Sequence, residues 1–206
     1  MLIKAAVINN LGEEFKIEEV DLKDPKHDEV LVKIVSCGVC HTDAAAKYQH
    51  IPVPLPAVLG HEGAGIVQEV GESVRGIKPG DHVALSFSSC GTCENCYTGK
   101  PYVCKDFNML NFGGIMNDGT KRLSHEEKEL STFFGQSAFA TYATVNERNL
   151  VVVDKDVDLE ILGPLGCGFQ TGAGTVLNGL KPEIGSSLVV FGMGSVGFTA
   201  IMGAKI

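Results

Sequence analysis

The sequence contains no block of basic residues. Seventeen Lys and Arg stand against 25 Asp and Glu, a formal net charge of −8. Without a cationic run to neutralise phosphates, nucleic acid and anionic membrane surfaces are poor partners. The opening stretch from Met1 to Asn10 carries one Lys and a short apolar run. That is too little for the apolar core and cleavage site of a secretory leader, so the chain reads as cytosolic. There is no internal repeat and no low-complexity tract, and 44% hydrophobic with 20% charged residues over 206 positions excludes disorder. Charge is also missing from Ile161–Leu180 and Ile184–Ala204, each about as long as a membrane span. Six glycines and Pro164 in the first run, and five glycines in the second, weaken any spanning helix. A two-sided buried strand followed by a packed helix explains the same apolarity.

From Met1 to about Val153 the pattern is that of many short strands: Leu2–Ile8, Phe15–Val20, Glu29–Val35, Ala64–Val70, Asp81–Leu85, Ala138–Val145 and Asn149–Val153 alternate or are rich in β-branched residues. Turn residues such as Lys78-Pro79-Gly80-Asp81 separate them, and a sheet that curls into a barrel or sandwich is predicted. Beyond Val153 the character changes. The acidic Asp154–Glu160 opens a helix, Gly163–Gly174 is glycine-rich, and Thr175–Leu180 reads as helical. Ser187–Phe191 then reads as a strand leading through Gly192-Met193-Gly194-Ser195-Val196-Gly197 into a second helix.

Seven cysteines in a reducing compartment are metal ligands or buried thiols rather than disulfides. Cys90, Cys93 and Cys96 recur at a period of three among Gly and polar residues, and Cys104 follows. Four thiolates on tight turns make a closed tetrahedral site suited to zinc, with an iron centre as the alternative. With no open position, such a site stabilises a loop and does no catalysis. A second, dispersed set is Cys40 in Gly38-Val39-Cys40-His41-Thr42-Asp43, His61 in Gly60-His61-Glu62-Gly63, and Cys167 in Gly166-Cys167-Gly168. Two thiolates and an imidazole leave a fourth position free, as in a catalytic zinc site. Taken singly, Cys37 and Cys40 are the spacing of a redox pair without its βαβ context, His61-Glu62 lacks the second His of a zinc-protease helix because position 65 is Gly, and Cys167 is a small hydrophobe.

The ordered series Gly-Val-Cys-His-Thr-Asp, Gly-His-Glu-Gly-Ala-Gly, the four spaced cysteines, Gly-Cys-Gly-Phe-Gln-Thr-Gly and Gly-x-Gly-x-x-Gly resembles the zinc-dependent medium-chain alcohol dehydrogenases over the whole chain. The resemblance implies a mainly β fold with some α: a GroES-like β-barrel catalytic domain over 1–168, then the first βα unit of a Rossmann domain over 169–206. It implies an amino-terminal fragment, with little or no turnover by itself and with exposed apolar surface over Ser187–Ile206. It puts Cys40, His61 and Cys167 on a catalytic zinc and Cys90, Cys93, Cys96 and Cys104 on a structural zinc. By the same likeness Asp43 orients His61, Glu62 assists ligand exchange, Thr42 passes on the alcohol's proton, and Thr171 lies beside the nicotinamide. His41 faces the cofactor pyrophosphate where many relatives carry Arg, and Gly192, Gly194 and Gly197 form the dinucleotide fingerprint.

One departure stands out: where many relatives end the proton relay with a histidine, this chain has Ala45. The implied activity is oxidation of primary alcohols to aldehydes with NAD, or NADP, by a homo-oligomer. Within the family the likeness is greatest to the aryl (benzyl) alcohol dehydrogenases, and Phe87, Phe107, Phe112, Phe133 and Phe134 are candidates for an apolar pocket wall. A zinc-stabilised binding or scaffold module is the competing reading. A zinc hydrolase is a third, with Glu62 as its one clear general base.

Overall fold

A computed structural model of the chain describes residues Met1–Ile206. Ten strands form two five-stranded antiparallel sheets. The first sheet holds, in spatial order, β4 (Ala57–Val58), β1 (Leu2–Ile8), β2 (Lys16–Leu22), β7 (Leu123–His125) and β8 (Lys128–Leu130). The second holds β10 (Leu150–Val153), β6 (His82–Leu85), β5 (Gly63–Val70), β3 (Glu29–Cys37) and β9 (Tyr142–Asn146). The sheets meet where Ala5 of β1 bridges Ala140, just before β9, and a bridge from Ala57 of β4 to Ser131, just after β8, draws the two edges of the first sheet together, so the strands wrap into a nearly closed barrel of the GroES-like kind.

Alternation explains the wrapping. Ile3, Ala5 and Val7 of β1 point inward with Val20 and Leu22 of β2, forming one apolar cluster. Strand β3 is buried on both faces over Glu29–Val32: Leu31 joins that cluster, while Val30 and Val32 pack with Val67, Val83 and Val145 in a second. A third cluster of Ile8, Ala46, Val53, Leu59 and Phe133 lies under the helix α1 (His41–Lys47). Helices α2 (Glu94–Tyr97) and α3 (Phe107–Phe112) sit in the long excursion between β6 and β7, which includes Cys90–Cys104. The cysteine segment expected on turns thus also carries a helical turn. Neither α1 nor α3 is legible in the sequence, because two turns of helix are too short to display a period.

The barrel matches the sequence reading at most strands. Ala138–Thr141, expected as strand, instead hops between the sheets: the amide of Ala138 donates to Gly60, Phe139 to Leu59, and Thr141 to Lys4. After β10 come α4 (Leu159–Leu162), capped by Asp158, then α5 (Gly168–Gly174) and α6 (Ser195–Gly203). Thr175–Leu180 is helical as expected, though in the wide π form. Ser187–Phe191 is a correction. It forms no strand, because an apolar, β-branched run does not make a ladder unless a neighbouring strand offers its amides and carbonyls. Val189 and Phe191 are exposed, as are Ile184 and Met193. No helix is long and apolar enough to cross a membrane.

One polar element belongs to the core. The Arg122 guanidinium, 3% exposed, donates from Nε and Nη2 to Glu29 at 2.9 and 2.7 Å and from Nη2 to Asp118 at 2.9 Å, tying β7 to the start of β3. Replacing Arg122 with Met is expected to cost about 3–5 kcal/mol, because the buried Glu29 carboxylate loses its cationic partner and keeps only the Lys26 amide; denaturant unfolding at pH 7 measures this. Hydrogen bonds from Lys26, Arg122 and Thr120 overcome partial burial and hold the Asp118 carboxyl well below its ordinary 3.8. The folded state therefore binds that proton less readily than the unfolded chain. Its stabilisation is present above about pH 4 and is lost as the pH falls further. Asp118→Asn is expected to flatten that acid-side loss.

Candidate metal centres and active site

The four cysteines of the excursion converge. The sulfurs of Cys90, Cys93, Cys96 and Cys104 all lie within 4.8 Å of one another. Cys93 and Cys96 are 3.5 Å apart and Cys90 and Cys96 are 3.9 Å apart. Four sulfurs about 2.3 Å from a shared zinc would form a tetrahedron with edges of about 3.8 Å, so the set fits that ion. Backbone amides already face the sulfurs: Cys90 donates to Cys104 at 3.3 Å and Cys93 to Cys90 at 3.4 Å. Amides at Lys105 and Cys96 draw the Cys93 thiol down to about 6, whereas burial pushes Cys104 up to about 12. All seven cysteines are free thiols.

The dispersed set also converges. Cys40 caps the N-terminus of α1, His61 and Glu62 precede β5, and Cys167 lies between a 3₁₀ turn (Gly163–Gly166) and α5. One donor atom from each of Cys40, His61, Glu62 and Cys167 falls within 4.8 Å of the others. The Cys167 segment can come this close because Gly166 has no side chain; a Cβ there would strike the Leu85 carbonyl. His61 is 1% exposed. Its Nδ1 is held 3.1 Å from Asp43 Oδ1, and its Nε2 is buried with no hydrogen-bond partner. An orphaned imidazole nitrogen facing two thiols fits a metal ligand.

Asp43 does more than orient the ring. Its Oδ2 accepts from the Cys40 amide at 3.1 Å and its Oδ1 from the Gly60 amide at 3.0 Å, so one carboxylate joins the cap of α1 to the His61 segment. The Cys167 thiol, then the His61 ring, draw Cys40 down to about 3, while the contact with Cys40 and burial push Cys167 up. Burial alone would lower His61, but Asp43 and Cys40 outweigh it and raise the ring to about 9. Glu62 is buried and accepts from the Gly168 amide at 3.3 Å. Thr42 places its hydroxyl 3.5 Å from the Cys40 sulfur. Cys37 stays outside this set, pushed by burial up to about 12 as an inert thiol.

The remaining candidates lie at the edges. His41 is exposed at the start of α1, and Thr171 is exposed one turn after Cys167, its amide bonded to the Cys167 carbonyl at 2.9 Å. The three fingerprint glycines differ in kind. Gly192 has φ of +95°, the space around Gly194 is open, and a Cβ on Gly197 would meet the Gly192 carbonyl. Those are the tight turn, the open approach and the close packing that a dinucleotide loop needs.

Sequence reasoning named Phe87, Phe107, Phe112, Phe133 and Phe134 as pocket-wall candidates but missed Gln136 and the direct packing of two of the rings on His61. Phe134 stacks on its ring with centroids 4.6 Å apart, and Phe133 meets it edge-on at 5.6 Å. Phe112, Phe107 and Phe87 continue the aromatic contacts outward from Phe134. Phe133 is fully buried in the core under α1, whereas Phe134 is only partly covered. Gln136 is also buried, and its amide bonds to the His61 carbonyl.

Residues 26–155 match the alcohol dehydrogenase GroES-like domain. The chain belongs to the zinc-type medium-chain alcohol dehydrogenases. It is 50% identical over 204 residues to geraniol dehydrogenase of Castellaniella defragrans, covering 98% of this chain and 54% of that protein. Among solved structures, an alcohol dehydrogenase zinc-binding domain protein from Burkholderia ambifaria is 48% identical with a TM-score of 0.96, and benzyl alcohol dehydrogenase from Acinetobacter calcoaceticus is 48% identical with a TM-score of 0.94. Each is covered over 56% of its length and matches all of this chain. The chain thus spans about half the length of the relatives it matches. Zinc and NAD(P) are the cofactors of the family.

The two sets predict separable metal behaviour. After expression with ample zinc, Cys93→Ser is expected to lose one zinc and disorder the Cys90–Cys104 loop. His61→Ala is expected to lose the other while remaining folded. Elemental analysis with circular dichroism checks both, and a Cys93→Ser protein that keeps its full metal complement would refute the closed site.

Proposed function

We propose that this chain carries the metal-bearing part of a zinc-dependent dehydrogenase that oxidises primary aromatic, benzyl-type alcohols to aldehydes, with NAD as the hydride acceptor. The observation that carries the reading is the buried, unpartnered Nε2 of His61 set against two thiols while Nδ1 is fixed by Asp43. In this reading two zinc ions bind per chain. Cys90, Cys93, Cys96 and Cys104 hold a structural ion; Cys40, His61 and Cys167 hold a catalytic one, with Glu62 close enough to exchange with a departing ligand. The catalytic ion supplies Lewis acidity that lowers the alcohol's pKa.

The protein's own groups do the rest. Asp43 keeps a proton on Nδ1 of His61, so that Nε2 presents its lone pair. The Thr42 hydroxyl, beside Cys40, receives the alcohol proton. With Ala45 where a relay histidine would stand, that proton leaves to water or another base. Hydride transfer requires the nicotinamide carbon to be held close to the substrate carbon, and Thr171 and the Gly192–Gly197 turn are the groups that would orient it, with His41 toward the pyrophosphate. We assign 1–168 to the catalytic domain and 169–206 to the start of the nucleotide-binding one. The reading includes a homo-oligomer in the cytosol, where reduced thiols are available as ligands.

Support for an aromatic substrate comes from likeness and from packing. Geraniol and benzyl alcohol, named for two similar proteins, both carry the hydroxyl on a carbon next to a π-system. The Phe134, Phe112, Phe107 and Phe87 rings run outward from the imidazole that would bind the ion. In the complete product of the gene encoding this chain, kcat/KM with NAD is expected to favour benzyl alcohol over ethanol by at least about tenfold. A preference for short aliphatic alcohols would remove the aryl assignment and leave the metal sites standing.

A further inference from the structure

Three segments far apart in sequence must be held in register for Cys40, His61 and Cys167 to converge. One links Cys40 to His61 through Asp43. What fixes His61 against Cys167 is a different residue. The Gln136 side chain is 2% exposed, and all its hydrogen bonds go to backbone. Nε2 donates to the His61 carbonyl at 2.9 Å and to the Ser86 carbonyl at 3.0 Å, and Oε1 accepts from the Gly63 amide at 3.2 Å.

These partners lie on two sides of the metal set. His61 and Gly63 flank Glu62 on the approach to β5. Ser86 continues β6, and its hydroxyl donates to the Gly166 carbonyl at 3.2 Å, one residue before Cys167. The turn bearing Gln136 is itself pinned to the same stretch: Ser137 Oγ donates to the Val58 carbonyl at 2.7 Å and the Ala138 amide to the Gly60 carbonyl at 2.9 Å. Phe134 and Ser137 are non-glycine residues held at φ of +53°, a strained conformation that persists only where its surroundings impose it.

We propose that Gln136 is a positioning residue for the open metal site: its carboxamide clamps the His61–Gly63 segment to the Ser86–Gly166 segment and so sets the separation of His61 Nε2 from the Cys167 sulfur. This rests on the reading of Cys40, His61 and Cys167 as a ligand set. Gln136 touches none of the ligating atoms and acts only through the backbone that carries them.

Cobalt(II) loading of the 206-residue chain provides the test, because the visible bands of a site with two sulfurs and one nitrogen differ from those of an all-sulfur site. Gln136→Met keeps the side-chain volume and removes all three bonds, and Gln136→Asn withdraws the amide by one methylene. The expected result is unchanged cobalt binding at the four-cysteine site, with affinity at the open site weakened about tenfold and its bands shifted. Asn146→Ala serves as a stability control, since the Asn146 side chain bonds to Asp28 and the Arg148 amide, away from the set. Unaltered open-site affinity and bands in a folded Gln136→Met or Gln136→Asn would overturn the proposal. So would equal weakening in Asn146→Ala at matched stability. If Gln136→Met does not fold, the shorter amide decides. A wild-type chain that binds no cobalt outside the four cysteines would instead refute the ligand set itself.

Discussion

A buried carboxylate that accepts from two backbone amides and one imidazole is the constraint on which the rest of the site depends. Asp43 is 2% exposed, and its oxygens are taken by the amides of Cys40 and Gly60 and by His61 Nδ1. Those contacts fix the cap of α1, the approach to β5 and the tautomer of a ring at once. Three further ionisable groups, Cys40, Glu62 and Cys167, stand nearby with His61 as the basic member of the set. In a poorly solvated setting such a surplus of potential anions calls for a cation, and a metal supplies charge that a side chain would have to bring with its own desolvation cost.

The barrel makes that concentration of charge tolerable. β3 ends at Cys37 and β5 starts at Gly63, and their pairing of Cys37 with Gly63 brings the Cys40 and His61 segments to the same end of the second sheet. The third segment arrives because β6 pairs with β5 and leads to Ser86, against which the Gly163–Gly166 turn rests. Apolar clusters on both sides of the first half of β3 anchor the sheet from which these segments extend, so the candidate ligands are presented by a packed scaffold.

What the sequence reveals follows from how local each feature is. The strands before Val153 are legible because alternation records burial directly, and the four clustered cysteines are legible because their spacing is itself the geometry. Cys40, His61 and Cys167 carry no such signal: each alone has an ordinary reading, and they become a set only through the order of motifs that resembles a family. Gln136 is invisible at that level, since a glutamine between Gly135 and Ser137 reads as a surface turn until the fold turns its side chain inward. Ser187–Phe191 fails for the opposite reason. Its apolar run states a tendency to be buried, but pairing depends on a neighbour that the pattern of one segment cannot reveal.

The two metal sets therefore differ in what an ion must do for them. In the excursion, the ligands lie within 15 residues, and short helical turns and amide contacts are most of what arranges them. Little apolar surface is committed there: among the four only Cys104 is buried, and Tyr97 and Tyr102 are exposed. In the proposed reading, ordering that loop would lean on the free energy of metal binding, which would make the ion part of the fold. The dispersed set spans Cys40 to Cys167, and the entropy of closing so long a loop is offset by the barrel's own burial rather than by the ion. A site whose geometry is secured elsewhere can leave a position free for substrate, because losing a ligand there does not release the chain. That division is why the proposed function gives scaffold chemistry to the local cysteines and exchangeable chemistry to the dispersed ones.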